Sequence, residues 1–170
     1  EDFAARSHEL ADVAYSRGYY SDYVLELDGV ARDEGIRVPV NREKMASLKP
    51  AFREDGCVTA ATSSPLSDGA TSGFIVNETI AKDLRLDGLE ILDCSWGQVA
   101  PELMGLGPVP AVEKILKRNK LKPQQIDAYE INEAFAVQVL ACQQELNLPL
   151  DRINNWGGAI SIGHPLGASA

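Results

Sequence analysis

Between Asn154 and Ala170 the chain reads NNWGGAISIGHPLGASA, with glycines at 157, 158, 163 and 167 and one histidine, His164, held between Gly163 and Pro165. Glycine permits positive φ and a close approach of backbone to another group. Pro165 excludes the helical region for the residue before it, so His164 is expected to be extended. The segment therefore reads as a stiff, tightly approached turn that presents a single imidazole. Two readings fit it: a catalytic loop, or a Gly-rich strand-to-helix connection whose histidine is simply satisfied.

Composition narrows the classes. A net charge of −9 argues against nucleic acid as a general partner. No apolar run approaches the roughly 20 residues of a membrane span, and the start does not resemble a signal peptide. Basic residues nevertheless collect locally, with Arg32, Arg37, Arg42, Lys44, Lys49 and Arg53 set against Asp33, Glu34 and Glu43. Such a patch on an acidic protein suits a small phosphorylated ligand, and equally suits a solvated loop of mixed charge. The cysteines, Cys57, Cys94 and Cys142, are odd in number and widely spaced, which fits a reducing compartment rather than a disulfide framework. A cytoplasmic protein is expected. His8 and His164 are far apart in sequence, so no metal site is expected.

Periodicity supplies the elements. Residues 2–17 read as an amphipathic helix stopped by Gly18, followed by an extended segment from Tyr19 to Leu25. Residues 28–56 read as a long excursion with little regular structure, and residues 57–70 are rich in small and hydroxyl side chains. Strands are expected at Gly73–Val76, Leu89–Cys94, Ile126–Ile131 and Arg152–Trp156. They alternate with helices at Glu78–Leu84, from Pro110 to about Asn119, and from an N-cap at Asn132 to about Leu146. This alternation is the signature of an α/β layer architecture, in which functional groups gather beyond strand ends. Asn132 and His164 both follow an expected strand and are expected to meet at one rim.

The chemistry open to them is limited. Gly158 and Gly163 are followed by His164-Pro165 where a P-loop requires Lys and Ser or Thr, and no G-x-S-x-G elbow is present. No G-x-G-x-x-G follows the first α/β strand. What remains is an amide and an imidazole able to bind a developing oxyanion or move a proton.

Asn132-Glu133-Ala134-Phe135-Ala136, followed by Gly157-Gly158-Ala159-Ile160 and Gly163-His164-Pro165-Leu166-Gly167-Ala168-Ser169, closely resembles the thiolase family. Leu48-Lys49-Pro50-Ala51-Phe52, Val58-Thr59-Ala60, Asp68-Gly69-Ala70 and Met104-Gly105-x-Gly107-Pro108 resemble thiolase segments in thiolase order. The resemblance implies a layered α-β-α fold, present here only in part: residues 1–70 as part of the loop domain and residues 71–170 as a truncated C-terminal domain. It implies thiolysis of 3-ketoacyl-CoA or the reverse Claisen condensation, with coenzyme A thioesters as substrates and no covalently bound cofactor. By resemblance, His164 activates a nucleophilic cysteine and Asn132 holds a water that completes an oxyanion hole. Coenzyme A would lie over the basic stretch, with Arg37, Arg42 and Lys49, and near Ser64. Phe52 and Phe135 match apolar residues around the acyl-pantetheine channel, and core packing is an equal reading for both.

The sequence also departs from that family. Neither the segment of the nucleophilic cysteine nor the later Cys-x-Gly-Gly segment is found, and Cys94 and Cys142 read as small core residues. The chain alone is expected to be inert, to expose a large apolar face, and to need self-association or a complementing half. Ala61-Thr62-Ser63-Ser64-Pro65-Leu66-Ser67 looks more like degradative than biosynthetic thiolases, favouring fatty-acid β-oxidation, and the resemblance implies a mitochondrial or peroxisomal location in a eukaryote. A ketoacyl synthase fits less well, since the Asn-Glu-Ala-Phe and Gly-His-Pro pair favours thiolase. A non-catalytic thiolase-like module that binds acyl-CoA or another subunit is the alternative.

Overall fold

The computed structural model describes residues 1–169. Helix α1 spans Asp2–Ser16 and begins with an acidic residue in its first turn, where it complements the helix dipole. Its inner face is built from small side chains, with Ala4, Ala5, Ala11 and Ala14 buried beside Phe3, Ser7 and His8. Small residues allow the last helix of the chain to lie close against it. The core gathers Phe3, Ala4 and Ala5 with Met45, Ala136, Val139, Leu146, Leu148, Ile153 and Ile160.

The expected extended segment after α1 is instead a run of turns. Gly18 takes φ +73° and reverses the chain, and Val24 N–H returns to the Tyr20 carbonyl at 2.9 Å. The reason is aromatic: Tyr19, Tyr20 and Tyr23 surround Trp156 with ring centroids 5.2, 5.8 and 6.4 Å away. Contacts at such separations favour a compact turn over a strand without a partner. The excursion that follows contains one short helix, α2 (Arg42–Ala46), capped by Asn41 accepting from Lys44 N–H at 2.8 Å. Helix α3 is Glu78–Asp83, capped by the Asn77 side chain. Helix α4 runs over Pro108–Asn119, opened by proline and closed by Lys120 in the left-handed conformation, with Lys117 and Arg118 in its last turn.

The four expected strands do not form a ladder. Ile126–Ile131 and Arg152–Trp156 lie side by side at a single parallel bridge, Tyr129 with Ile153. Tyr129 N–H donates to the Arg152 carbonyl at 2.8 Å, and Asn154 N–H to the Tyr129 carbonyl at 2.9 Å. Gly73–Val76 and Leu89–Cys94 form no regular element and make no backbone–backbone hydrogen bond among the described residues. Phe74, Ile75, Leu89, Ile91 and Leu92 are exposed there. A short apolar run specifies a strand only when another strand supplies hydrogen bonds and a face to bury.

Helix α5 also departs from expectation. It covers Ala136–Glu145, so Asn132 does not cap it, and Phe135 at its start is extended with φ −144°. The 63–64 segment holds this stretch open, through a bridge between Ser63 and Phe135 and a 3.0 Å hydrogen bond from Ser64 N–H to the Ala134 carbonyl. The last helix, α6, is a single turn at Ala159–Ile162.

Two consequences are testable. Gly157 takes φ +87°, and a Cβ there would sit 2.6 Å from Ala11 Cβ and 2.7 Å from the Ser7 carbonyl oxygen. Gly157→Ala should lower unfolding stability by roughly 2–4 kcal/mol in chemical denaturation, combining overpacking with left-handed strain. His8 is buried, and its Nδ1 accepts from Arg37 N–H at 3.3 Å, which requires the unprotonated nitrogen. Burial first, and then the Arg37 charge, depress its pKa below the ordinary 6.5. The unfolded chain therefore binds more protons just below that value. Stability should be fully present above pH 6.5 and fall as the pH drops through the window beneath it. His8→Gln should flatten that dependence in denaturation curves measured as a function of pH.

Candidate active site

Asn132 is freed from capping duty, and its side chain reaches across to His164. Asn132 Nδ2 lies 3.1 Å from His164 Nε2, although the residues are 32 apart in sequence. Asn132 is exposed and His164 half-buried, so the pair opens to solvent on one side. As the amide is placed, Nδ2 donates to an unprotonated Nε2 and the imidazole proton sits on Nδ1. With the amide turned over, Nε2–H donates to Oδ1 and Nδ1 becomes an acceptor. Nδ1 is buried without a partner among the described residues. The pair can thus take a proton from a thiol or donate to a carbonyl oxygen, the two acts expected of it.

The turn that carries His164 is built by close approach. Gly163 takes φ +95°, and a Cβ there would lie 2.5 Å from Ser67 Oγ. A Cβ on Gly69 would lie 2.6 Å from Pro165 Cγ. Thr71 Oγ1 donates to the Ala168 carbonyl at 3.1 Å. The 66–71 segment therefore lies directly on the His164 turn, and Leu66, Ser67, Asp68, His164 and Leu166 line an open groove of about 370 Å³.

Three further expected residues join the same neighbourhood. Phe52 meets Phe135 edge to face, with centroids 5.9 Å apart and planes at 83°. Phe52 is 74% exposed, so this contact lies at the surface and not in the core. Ser64 pairs through its backbone with Ala134, two residues from Asn132. The neighbouring hydroxyls serve the turn itself: Thr62 Oγ1 accepts from Thr59 N–H at 2.9 Å, and Ser63 Oγ donates to the Thr59 carbonyl at 2.7 Å.

The basic candidates are not drawn in. Arg42 pairs with Asp2 and, at 3.6 Å, with Glu9, both on α1. Arg37 supplies its backbone N–H to His8. Neither these two nor Lys49 makes a hydrogen bond or ion pair with the 132–135 or 163–168 segments among the described residues. Arg32 and Arg53 are likewise paired, with Asp12 and Asp55. Half of the apparent patch is thus neutralised locally.

The cysteines fall in unlike places. Cys142 is buried, as a small core residue should be, and donates to the Gly105 carbonyl at 3.2 Å. Burial pushes its thiol pKa up, partly offset by the Gln138 side chain, so it is a poor nucleophile. Cys94 is exposed on the unpaired 89–94 segment and is not a core residue.

Sequence reasoning missed the polar cluster behind the pair. Glu133 is fully buried. Its carboxylate accepts from Ser7 Oγ at 2.6 Å, Asn154 Nδ2 at 2.8 Å and Ile160 N–H at 3.1 Å. Ser161 Oγ completes the cluster 3.1 Å from Ser7 Oγ. The available signal was a glutamate set among Ile131, Ala134, Phe135 and Ala136, where an apolar residue would be ordinary.

Comparison with known proteins decides the family. Residues 1–79 match the thiolase N-terminal domain and residues 88–170 the thiolase C-terminal domain. The chain belongs to the thiolase family. A probable acetyl-CoA acyltransferase of Staphylococcus aureus is 42% identical over 180 residues, a match covering 99% of this chain and 46% of that protein. The crystal structure of human mitochondrial 3-ketoacyl-CoA thiolase in complex with CoA superposes with a TM-score of 0.88 at 34% identity, over 99% of this chain and 44% of that one. The dimeric peroxisomal thiolase of Saccharomyces cerevisiae gives a TM-score of 0.84 at 39% identity, over 97% and 44%. The fold is therefore the thiolase-like α/β fold, and this thiolase chain spans about half the length of the relatives it matches.

Proposed function

We propose that the protein carrying this chain is a thiolase-type acyltransferase acting on coenzyme A thioesters, and that Asn132 and His164 are its catalytic residues on this chain. The observation that carries the reading is the 3.1 Å approach of the two side chains, with His164 lining an open groove. A thioester carbonyl placed there meets an imidazole on one side and an amide, or a water held by it, on the other. Donors fixed in advance are what a tetrahedral oxyanion or an enolate needs, because they require no reorganisation as charge develops. The same imidazole accepts the proton of an attacking thiol, and a thiolate is the nucleophile suited to a thioester. The Phe52–Phe135 edge offers an apolar wall for the pantetheine arm, with Ser64 beside it. The phosphates would then be met by Arg37 and Lys49, whose charges form no ion pair among the described residues.

The nucleophile is proposed to come from outside this chain. Cys142 is buried with a raised thiol pKa, and Cys57 and Cys94 make no hydrogen bond to the Asn132–His164 pair among the described residues. The exposed apolar segments at 73–76 and 89–94 are proposed to pair with the sister half of the protein, or with a second copy. The degradative direction, toward β-oxidation, is supported by the resemblance of the Ala61–Ser64 turn.

The test is an assay of 3-ketoacyl-CoA thiolysis on two preparations. The 170-residue chain alone should show no turnover. The longer protein should turn over, with His164→Ala lowering kcat by about 10²–10⁴-fold and Asn132→Ala by about 10²–10³-fold. Turnover by the short chain would reveal a nucleophile among its own cysteines. Coenzyme A binding without turnover in the longer protein would identify an acyl-CoA-binding module instead.

A further inference from the structure

We propose that Glu133, acting with Asn154, is the positioning residue for the Asn132–His164 pair, a role that rests on the acyltransfer reading above. Its carboxylate joins both sides of that contact. Toward Asn132, the Asn154 side chain occupies the place of a neighbouring strand. Its Oδ1 accepts from Ile131 N–H at 2.8 Å, and its Nδ2 donates to the Ile131 carbonyl at 2.8 Å and to Glu133 Oε1 at 2.8 Å. The residue before Asn132 is thus held at both backbone groups, and the residue after it is held by its own side chain. Toward His164, Glu133 Oε2 accepts from Ile160 N–H at 3.1 Å. Ile160 lies in α6, the turn that ends at Gly163 and delivers His164. Ser7 Oγ fastens the same oxygen to α1 and also accepts from Gly158 N–H at 3.1 Å.

The chemistry of the site requires a carboxylate and not merely a side chain of that volume. The Ile160 N–H is part of the backbone and cannot turn away. The Asn154 amide cannot turn over without facing its oxygen to Glu133 and its NH₂ to the Ile131 N–H. Both carboxylate oxygens therefore face donors whose direction is fixed, whereas the Ser7 hydroxyl is free to rotate. Glutamine has the same shape but one oxygen. In either orientation its NH₂ confronts a donor, and one side of the Asn132–His164 contact loses its tether.

The experiment uses Glu133→Gln in the full-length protein, with folding checked by near-ultraviolet circular dichroism. The imidazole ¹⁵N shifts of His164 and the hydrogen exchange of the Asn132 side-chain amide report the contact without reference to turnover. The expected result is a changed His164 shift and faster Asn132 amide exchange, with kcat for thiolysis reduced about 100-fold and KM unchanged. Glu133→Asp is the second variant. It keeps the charge but is one methylene short of spanning Ile160 N–H and Asn154 Nδ2 together, and should move the same signals in the same direction. Unchanged signals in a folded variant, or unfolding of both variants, would confine Glu133 to the core and overturn the proposal. Shifted signals in a protein whose unaltered form shows no thiolysis would uphold the positioning role and overturn the functional reading instead.

Discussion

A carboxylate with no access to water sits at the centre of this chain. Removing an ion of that size from solvent costs several kcal/mol, and each hydrogen bond to a charged group contributes about 1.5–3 kcal/mol. Glu133 offsets its burial by accepting from α1, from the 154 turn and from α6 at once. The first of these lies far in sequence from the other two, which are close neighbours, and no continuous sheet joins them among the described residues. The buried charge therefore fixes their relation more tightly than apolar contact alone, because hydrogen bonds have direction and core packing among alanines has little.

The glycines follow from this arrangement. A Cβ on Gly158 would collide with the Glu133 carboxyl group, and one on Gly157 would collide with α1 at Ser7 and Ala11. Glycine is required at these two places so that the backbone can reach the charge and the helix. Gly163 then turns the chain toward Ser67, and His164 emerges opposite Asn132. Local backbone freedom, a buried acceptor and an exposed imidazole are consecutive steps of one construction. The Ser64 contact to Ala134 completes it from the other side by keeping the 132–135 stretch out of α5.

Much of this was legible in the residues. Helix α1 announced itself by periodicity and a glycine stop, α4 by its leading prolines, and the meeting of Asn132 with His164 by their places after expected strands. The strands themselves were misread in outcome. Short apolar runs become strands only beside another strand, and Phe74, Ile75 and Leu89 are exposed with none beside them among the described residues. Asparagine favours a helix-cap position, but at Asn132 tertiary pairing by Ser63 and Ser64 overrides that local preference. Glu133 was overlooked for a related reason. Nothing in a linear pattern separates a solvated glutamate from one whose partners are 126 and 27 residues away. The basic stretch was legible only as charge, since nothing in its spacing shows that Arg32 and Arg42 pair with Asp12 and Asp2 on α1.

The most direct measurement is a crystal structure of the full-length protein with an unreactive thioester analogue of acetyl-CoA bound. The account predicts the carbonyl oxygen within about 3 Å of His164 Nε2, with the Asn132 amide, or a water it holds, on the opposite side of that oxygen. A thioester bound elsewhere, with Asn132 and His164 still facing only each other, would contradict it.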